Sequence, residues 1–534
     1  MTIIFVNYYP DGTMARYLLS SYVLRAYLDV HSKKDYTTKV LNFSVGRNVQ
    51  KVAQKLLQAE PDVICFSCYV WNIQAVIETV GHIRKEADVA IILGGPEISA
   101  ESIEALPDPS IVNYYVIGEG ERALPPLLRM IDAGQNGKAD YLPAGVTFWE
   151  DNSLRPYKEG ELIGDLDEIP SVYLTEILDD RFYARGQAFM ETQRGCPYRC
   201  KYCLYHKQRG KTAFYSLDRV FAELRYLIVE KHIKALRIFD SVFTSDLERS
   251  KDIVRYLLCL GEEKGVSLPW LFWELRYEDV DEEFIQLVAF LKNRSDIHNY
   301  AEVPARDSAQ MYSDLLEGYG VVNAIGIQSF HNPSLRQVGR SSINLEQFGR
   351  FMSFVRRHNI VLKIDMIFGL PEETIDTFFA GLESLLPHIC NSDHILNIHR
   401  LAILPGTLLA KQARRKNISY QIEAPHVVLS TDTISKGDLE HTCRLLALLF
   451  RVVNSPLRNA FFEALTQTPM PLRDFAESLF AFLEADDDLN SCEFLQDGVI
   501  CDEYWNGSIF REIPTDWLED KLGISDGVGG TRSV

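Results

Sequence analysis

The chain has 534 residues and a formal net charge of −19, with 46% hydrophobic and 24% charged residues. At about 150 residues per domain, this length suggests three or four domains, and the composition is that of a soluble globular protein. The sequence contains no apolar run of the roughly 18 residues that a membrane span requires. The negative charge argues against nucleic-acid binding and favours a small molecule or a peptide as the substrate.

The start of the chain predicts its compartment. Residues 1–7 carry no basic stretch and pass directly into a strand pattern, so we expect no signal peptide and a cytoplasmic location. Without an export signal, the ten cysteines are interpreted as reduced thiols or metal ligands rather than as a disulfide framework.

Residues 1–135 alternate short apolar runs with amphipathic stretches, which predicts a Rossmann-like α/β domain with a parallel sheet. The predicted strands are 3–6, 38–41, 63–66, 90–93 and 113–117, and helical patterns such as 49–57 and 73–87 lie between them. The turns Gly94-Gly95-Pro96-Glu97 and Gly118-Glu119-Gly120-Glu121 follow the fourth and fifth strands. Because open parallel sheets bind ligands at this edge, we expect a nucleotide or a large cofactor there.

Residues 136–185 lose this periodicity and contain several prolines in an acidic stretch, which predicts a linker. A second alternating series over residues 186–410 predicts a partial (β/α) barrel. Its predicted strands are 189–193, 235–239, 270–275, 299–303, 324–330, 364–370 and 395–403. Residues 411–534 are predicted to be mainly helical, with helices at 439–453 and 471–484 and a disordered tail at 527–534.

Three cysteines, Cys196, Cys200 and Cys203, follow the first strand of the predicted barrel at ligand-like spacing. Three thiolates in one loop can hold a four-iron cluster and leave one iron open to a substrate or cofactor. Two alternatives remain: a structural zinc site with His206 as a fourth ligand, or three unrelated thiols.

This segment resembles the radical S-adenosylmethionine (SAM) superfamily, whose signature is CxxxCxxC with an aromatic residue before the last cysteine, here Tyr202. The resemblance implies a 4Fe-4S cluster held by the three cysteines, with SAM chelated at the open iron. It also implies an electron donor such as flavodoxin or ferredoxin, whose electron cleaves SAM to a radical that abstracts a substrate hydrogen.

Other positions resemble the superfamily more loosely. Asp240 or Ser241 stands where the superfamily has a Gly-Gly-Glu contact to the SAM amino group. The resemblance implies a ribose-binding acid and a basic partner for the SAM carboxylate at later strand ends, although each is as readily an ordinary ion pair. The candidates for these two roles are Glu274, Arg276, Glu302 and Arg306.

Two glycine-containing segments complete this part of the resemblance. Gly326-Ile-Gln328-Ser329 and the stretch from Asp365 through Gly369 to Glu373 resemble the GxQS and DxxxGLPxE segments of the coproporphyrinogen-oxidase-like and MiaB-like branches. Gln328 and Gly369 are therefore expected at the adenine and methionine parts of SAM, where glycine permits a close backbone approach.

The N-terminal segment resembles the cobalamin-binding class of radical SAM enzymes, in its order of elements and in its GGP and GEGE turns. The resemblance implies that Gly94, Gly95, Gly118, Glu119 and Gly120 lie against the corrin and its nucleotide tail. Tyr69 and Trp71 would face the lower side of the corrin, unless they are core aromatics. The DxHxxG histidine motif is absent, because His31 lies in a helical pattern without the glycine, so cobalt should have no histidine ligand. A vestigial domain without cofactor is the other possibility.

The class implies foremost a methyltransferase that acts on an unactivated carbon of a small molecule or peptide. Alternatives are a rearrangement or cyclisation without methyl transfer, and a non-catalytic SAM or cluster sensor. Methylthiolation of tRNA is disfavoured, because the region after residue 437 includes the acidic run 484–488 and lacks a basic RNA-binding pattern.

Overall fold

The computed structural model describes most of the chain, namely residues 1–10, 19–135, 142–184, 186–205, 210–294, 320–390, 392–454, 458, 461–462, 465 and 470–484. The predicted strand 299–303, the acidic run after Glu484 and the tail 527–534 fall outside these residues, as do His206, Glu302 and Arg306. No helix in the described part is both long enough and apolar enough to cross a membrane.

The first sheet is parallel except at one edge, and all five strands predicted for residues 1–135 are present. Its strands are β1 (Thr2–Tyr9), β2 (Thr37–Ser44), β3 (Val63–Ser67), β4 (Ala90–Gly94), β5 (Tyr114–Val116) and β6 (Val146–Thr147). Their order is β2-β1-β3-β4-β5-β6, and only the β5–β6 pair is antiparallel. The carboxyl ends of the five parallel strands therefore share one edge.

Helices cover both faces of this sheet. They are α1 (Leu19–His31), α2 (Val49–Leu57), α3 (Ile73–Glu86), α4 (Ala100–Glu104) and α5 (Gly120–Asp132). The period of two along β1 sends Ile4 and Val6 into a core shared with α2 and α3, while Ile3 and Phe5 enter the core beneath α5. Both faces of β1 and β3 are thus buried, which explains their continuous apolar runs.

The segment predicted as a linker consists of short elements. They are β6, a hairpin of β7 (Trp149–Glu150) and β8 (Ser153–Leu154), a 3₁₀ turn at Leu166–Glu168 and α6 (Asp180–Tyr183). Many of its apolar side chains, including Ile163, Tyr173 and Phe182, are buried in the large core of the second half of the chain. Elements of two to four residues are too short to produce a readable period.

The second sheet has six parallel strands and open edges, which is the predicted partial barrel. In chain order its strands are β9 (Gln187–Met190), β12 (Ala235–Ile238), β13 (Trp270–Leu275), β14 (Val321–Gln328), β15 (Val361–Phe368) and β16 (Ile395–Arg400). Two further strands, β10 (Gln193–Arg194) and β11 (Ala213–Phe214), form a separate antiparallel pair.

Helices pack on the outer face of this sheet. They are α7 (Leu217–Arg225), continued by a π turn at Tyr226–Glu230, α8 (Leu247–Leu260), α9 (Glu282–Lys292), α10 (Asn332–Gln337), α11 (Leu345–Arg357) and α12 (Ile375–Ile389). Most of these helices begin at a side chain that accepts a backbone N–H, which defines where they start: Ser216, Asp246, Asp281, Asn344 and Thr374.

The described C-terminal region is mainly helical, as predicted, and also contains a small hairpin. Its elements are α13 (Leu408–Gln412), β17 (Ser419–Tyr420), β18 (Val428–Ser430), α14 (Lys436–Val453) and α15 (Leu472–Glu484). Buried residues of α14 and α15 join the core of the second sheet. The C-terminal helices therefore extend the barrel rather than form a core of their own.

Candidate functional site

The three predicted cluster cysteines share one loop after the first strand of the second sheet. The loop leaves β10 and returns at β11, which pair with each other and close its base. Two backbone hydrogen bonds of 2.8 Å hold its middle, because Lys201 donates to the oxygen of Val338 and Leu409 donates to the oxygen of Lys201. The loop is thus fixed at both its base and its centre, and it carries Cys196, Cys200 and Cys203.

The three cysteine sulfurs are spaced more widely than a single zinc ion would hold them. The Sγ atoms of Cys196, Cys200 and Cys203 do not all lie within 4.8 Å of one another. A tetrahedral zinc with bonds of about 2.3 Å would hold its sulfurs about 3.8 Å apart, whereas a four-iron cluster spaces its ligands more widely. Burial raises the pKa of Cys203 to about 12, so a bound metal must displace its proton. The donor set fits the iron-sulfur cluster.

A partly buried arginine, which the sequence did not reveal, lies against this loop. Arg340 Nη1 donates to Cys200 Sγ over 3.8 Å and to the hydroxyl of Tyr202 over 3.4 Å. Its Nη2 donates to the backbone oxygen of Gly326. These three contacts place the guanidinium of Arg340 between the cysteine loop and the end of β14, where it could bind a carboxylate.

The turn before Arg340 requires glycine. Gly339 has a φ of +74°, and a Cβ there would lie 2.9 Å from the backbone oxygen of Arg199. The cysteine loop therefore packs directly on this turn, in contact that leaves no room for a side chain.

Asp240 and Ser241, the predicted substitutes for Gly-Gly-Glu, hold the end of the first strand and the start of the loop. Asp240 accepts from the amide and hydroxyl of Thr192 at 2.7 and 2.5 Å, and from the amide of Gln193 at 3.2 Å. Burial raises the pKa of Asp240 to about 7. Ser241 donates to the oxygen of Gly195 at 2.6 Å. Both side chains are engaged within the protein.

Glu274 and Arg276 differ in their surroundings. The side chain of Glu274 is exposed at the end of β13 and interacts electrostatically with Cys203. Arg276 is buried, pairs with Glu278 at 2.5 Å and stacks 3.9 Å from the ring centroid of Tyr198. The predicted acid thus faces the cluster loop, while the predicted base already has an internal partner.

Gln328 and Gly369 lie at neighbouring strand ends. Gln328 has a φ of +71°, and a Cβ at Gly326 would overlap its side-chain amide. Gly369 has a φ of +92° and directly follows β15, near Glu373, a buried acid that accepts from Ser329. Burial raises the pKa of Glu373 to about 8.

A polar cluster lies on the inner face of the second sheet, the face turned away from the helices. Alternate residues of β15 belong to the outer core, so Lys363 and Asp365 point inward. Asp365 accepts from Asn397 at 2.8 Å and lies 3.4 Å from Lys363 Nζ and 3.3 Å from His399 Nε2. Burial alone would raise the pKa of Asp365, but Lys363 and His399 outweigh it and hold it near 2. Of these four residues, sequence reasoning named Asp365 alone. The alternation of Lys363 and Asp365 along an otherwise apolar strand was the sequence signal that could have revealed this cluster.

On the first sheet, Tyr69 and Trp71 follow β3 at the predicted cofactor edge. Their rings stack with centroids 4.4 Å apart, and Trp71 Nε1 donates to the oxygen of Tyr8 at 3.4 Å. Both are partly exposed, and neither belongs to a buried core cluster. Their rings are therefore partly accessible at this edge of the sheet.

The glycines of the turns at this edge differ in what surrounds the position of a Cβ. Gly118 has a φ of +98°, and nothing lies within 4 Å of the position of a Cβ, which is open space for a cofactor. At Gly95 a Cβ would lie 2.5 Å from the oxygen of Cys68, so this glycine is needed for its own turn. Cβ atoms at Gly94 and Gly120 would meet Val116 and Leu24. Glu119 Oε2 accepts from the amide of Ile163 at 3.0 Å. Of these positions, Gly118 is the one with the free space that a close approach of a corrin requires.

Two histidines bear on cobalt ligation. His31 ends α1 and its Nε2 lies 3.0 Å from the oxygen of Glu168. His426 reaches the turn after β4, where its Nε2 lies 2.8 Å from Glu97 Oε1 with both side chains buried. No local motif pointed to His426, which is more than 300 residues from Glu97 along the chain.

An acidic cluster elsewhere is already neutralised. Glu248, Asp281 and Glu283 have oxygens within 4.8 Å of one another, but the ammonium of Lys251 lies 2.7 to 2.9 Å from all three. The lysine occupies the position that a cation would take.

Comparison with known proteins supports both halves of this description. Residues 23–128 match the family model of the B12 binding domain, and residues 190–383 match that of the radical SAM superfamily. These are the domain types that bind cobalamin and a 4Fe-4S cluster with SAM.

Two curated relatives are methyltransferases. The chain is 26% identical over 373 residues to the 2-(S-pantetheinyl)-carbapenam-3-carboxylate methyltransferase of Streptantibioticus cattleyicolor. The alignment covers 67% of this chain and 49% of that protein. It is also 26% identical over 379 residues to the cobalamin-dependent radical SAM methyltransferase TokK of Streptomyces tokunonensis. This alignment covers 68% of this chain and 49% of TokK. The chain thus spans about half the length of these relatives.

A solved structure shares the fold over nearly the whole chain. The cobalamin-dependent SAM radical enzyme OxsB, with aqua-cobalamin and SAM bound, aligns with a TM-score of 0.57 and 17% identity, covering 98% of this chain and 78% of that one.

Proposed function

We propose that this chain, which belongs to the radical SAM enzymes with a B12-binding domain, is a cobalamin-dependent methyltransferase acting on an unactivated carbon of a small molecule or peptide. One observation carries the proposal: the base of the cysteine loop touches the glycine turn of the first sheet, where Arg194 pairs with Glu121 at 2.7 Å. Methyl transfer between two cofactors requires such proximity.

The residues of the chain have separate tasks in this proposal. Cys196, Cys200 and Cys203 hold the cluster, and the exposed edge beside Gly118 and Tyr69 takes the corrin. When bound, these cofactors supply one-electron chemistry and methyl transfer. Arg340 and Glu274, which flank the cysteine loop, would bind the carboxylate and the amino or ribose groups of SAM.

The remaining predicted SAM contacts are retained as part of this proposal. Gln328 ends β14, whose Gly326 accepts from Arg340, and Gly369 follows the neighbouring β15. Tyr202 accepts from the same guanidinium, and Arg276 stacks on Tyr198. Asp240 and Ser241 would act by holding the loop in place. Glu302 and Arg306 stay predictions from the sequence.

The substrate would bind over the inner face of the second sheet. Small side chains at Ala324 and Gly326 of β14 are paired with Lys363 and Asp365 of β15. Space beside this polar cluster suits a small molecule with hydrogen-bonding groups, as ligand pockets combine apolar walls with a few placed polar groups.

The proposal includes a cytoplasmic setting and an electron donor such as flavodoxin or ferredoxin. The described cysteines are free thiols, which suits a reducing compartment. The net charge of −19 gives no support to a nucleic-acid substrate.

The test is product mass. Protein reconstituted without oxygen with iron, sulfide and hydroxocobalamin would be incubated with a reductant, SAM labelled in its methyl group and a metabolite pool. We expect a product that gains one labelled methylene unit, and none from Cys200→Ala. A product of unchanged mass would replace the methyltransferase by a rearrangement or cyclisation, and SAM binding without any product would favour a sensor.

A further inference from the structure

One buried ion pair joins the two cofactor regions. Arg194 Nη1 lies 2.7 Å from Glu121 Oε1, and the two side chains are only 15% and 6% exposed. Arg194 is the last residue of β10, directly before the cysteine loop, and Glu121 follows the glycine turn as the second residue of α5.

Each partner is fixed by its own element. β10 pairs with β11, so Arg194 cannot shift without the base of the cysteine loop. Glu121 lies in the first turn of α5, where the helix dipole favours a carboxylate. The pair therefore links two rigid points, one in each sheet region.

The surroundings of Arg194 extend this link. Its Nε donates to Glu191 at 3.1 Å, and the side chain of Glu191 is 40% exposed. Tyr69, at the edge of the first sheet, lies close enough to interact electrostatically with Glu191 and Arg194. The arginine thus stands between the cysteine loop and two segments of the first sheet.

Burial determines what such a pair can do. Two charges taken out of water gain little net stability, but they resist separation, because breaking the pair leaves an unpaired buried charge. An arginine fork also fixes the direction of approach as well as the distance. The pair is better suited to setting a geometry than to stabilising the fold.

We propose that Arg194 and Glu121 are positioning residues that set the separation of the iron-sulfur cluster from cobalamin. This inference rests on the proposed function, since both cofactors must be bound at these sites. Neither residue needs to touch a substrate or a reacting atom.

The experiment measures the separation directly. In protein loaded with both cofactors, pulsed electron paramagnetic resonance of the dipolar coupling between Co(II) and the reduced cluster gives their distance distribution. We expect Glu121→Gln to keep its iron and corrinoid but to broaden or shift this distribution. It should also raise the ratio of 5′-deoxyadenosine to methylated product several-fold.

Matched variants separate positioning from general destabilisation. Glu191→Gln removes the exposed partner of the same arginine and should leave the distribution unchanged. Glu223→Gln breaks a pair of equal burial within α7, where Arg219 and Glu223 are 15% and 7% exposed at 3.1 Å. It should lower stability without changing the distance. If Glu121→Gln fails to fold, Glu121→Asp keeps the charge with a shorter reach and should show a smaller shift.

The outcomes distinguish the two proposals. A wild-type distribution in Glu121→Gln or Glu121→Asp would overturn the positioning role and leave the methyltransferase standing. Wild-type protein that retains no corrinoid would overturn both.

Discussion

The guanidinium of Arg340 donates to the sulfur of Cys200 over 3.8 Å, which places a partly buried cation at the edge of the predicted cluster site. We expect Arg340→Met to keep its iron but to weaken SAM binding about 10- to 100-fold, the loss of roughly 1.5–3 kcal/mol typical of a hydrogen bond to a charged group. Calorimetry with SAM on anaerobic holoprotein measures the change. Arg336→Met, four residues earlier in α10 and exposed, is the control. Equal SAM affinities would remove Arg340 from the site.

We expect only the three cysteines of the loop to be required for iron binding. Replacing Cys196, Cys200 or Cys203 with Ala should abolish iron binding and 5′-deoxyadenosine formation, since three thiolates are the full protein ligand set. Iron analysis and product assay measure both effects. Cys259→Ala removes an exposed thiol elsewhere and should behave as wild type. Normal SAM cleavage by Cys200→Ala would disprove the ligand set.

Gly339 allows a test of the loop without touching a thiol. A Cβ at this position would lie 2.9 Å from the oxygen of Arg199 at a φ of +74°. We expect Gly339→Ala to destabilise the protein by about 1–3 kcal/mol and to lower its iron content, because the loop must move away. Gly349→Ala, in α11 with nothing within 4 Å of its Cβ, should not destabilise. Full iron content and wild-type stability in Gly339→Ala would contradict the contact.

Asp240 predicts a pH dependence of stability. Its pKa rises from 3.8 to about 7 on burial, so folding takes up a proton between these values. This favourable contribution is present at low pH and is lost as pH rises towards 7. The free energy of unfolding of wild type minus that of Asp240→Asn should therefore fall by about 1.4 kcal/mol per unit from pH 5 to pH 7 and level off above. Urea unfolding at several pH values tests this, and a constant difference would contradict it.

The cobalt environment is predicted to lack a protein imidazole. His426 Nε2 lies 2.8 Å from Glu97 Oε1, and His31 contacts Glu168 at the end of α1. Protein reconstituted with hydroxocobalamin should retain it through gel filtration, and its Co(II) spectrum should show no nitrogen superhyperfine splitting. Splitting that disappears in His426→Gln would identify His426 as a ligand instead.

Much of the fold follows from periodicity, and the misplaced strand starts have a common cause. The prediction began β14 at residue 324 and β15 at 364, but these strands start at Val321 and Val361. In each case a polar residue interrupts the apolar run: Asn323, which accepts from the indole of Trp273 at 2.7 Å, or the buried Lys363. Tertiary partners make these residues compatible with a buried strand, and such partners are invisible in the local sequence.

The site residues also differ in whether their role can be read from the local sequence. The cysteines and glycine turns were readable because their spacing is local, whereas Arg340, His426 and the partners of Arg194 meet their targets only in the fold. A glycine in a motif can have more than one cause: Gly95 is predicted to allow cofactor approach, and its missing side chain also makes room for the oxygen of Cys68.

The burial of apolar side chains from residues 160–184 constrains how this chain can be recombined with relatives. Ala26 and Tyr27 of α1 share one core with Ile163, Phe182 and strand residues of the second sheet. A chimera cut at residue 135 would separate α1 from side chains it packs against, and one cut at 185 would carry foreign contacts into the barrel. Exchange of the N-terminal unit should therefore succeed only when α1 and residues 160–184 come from the same parent.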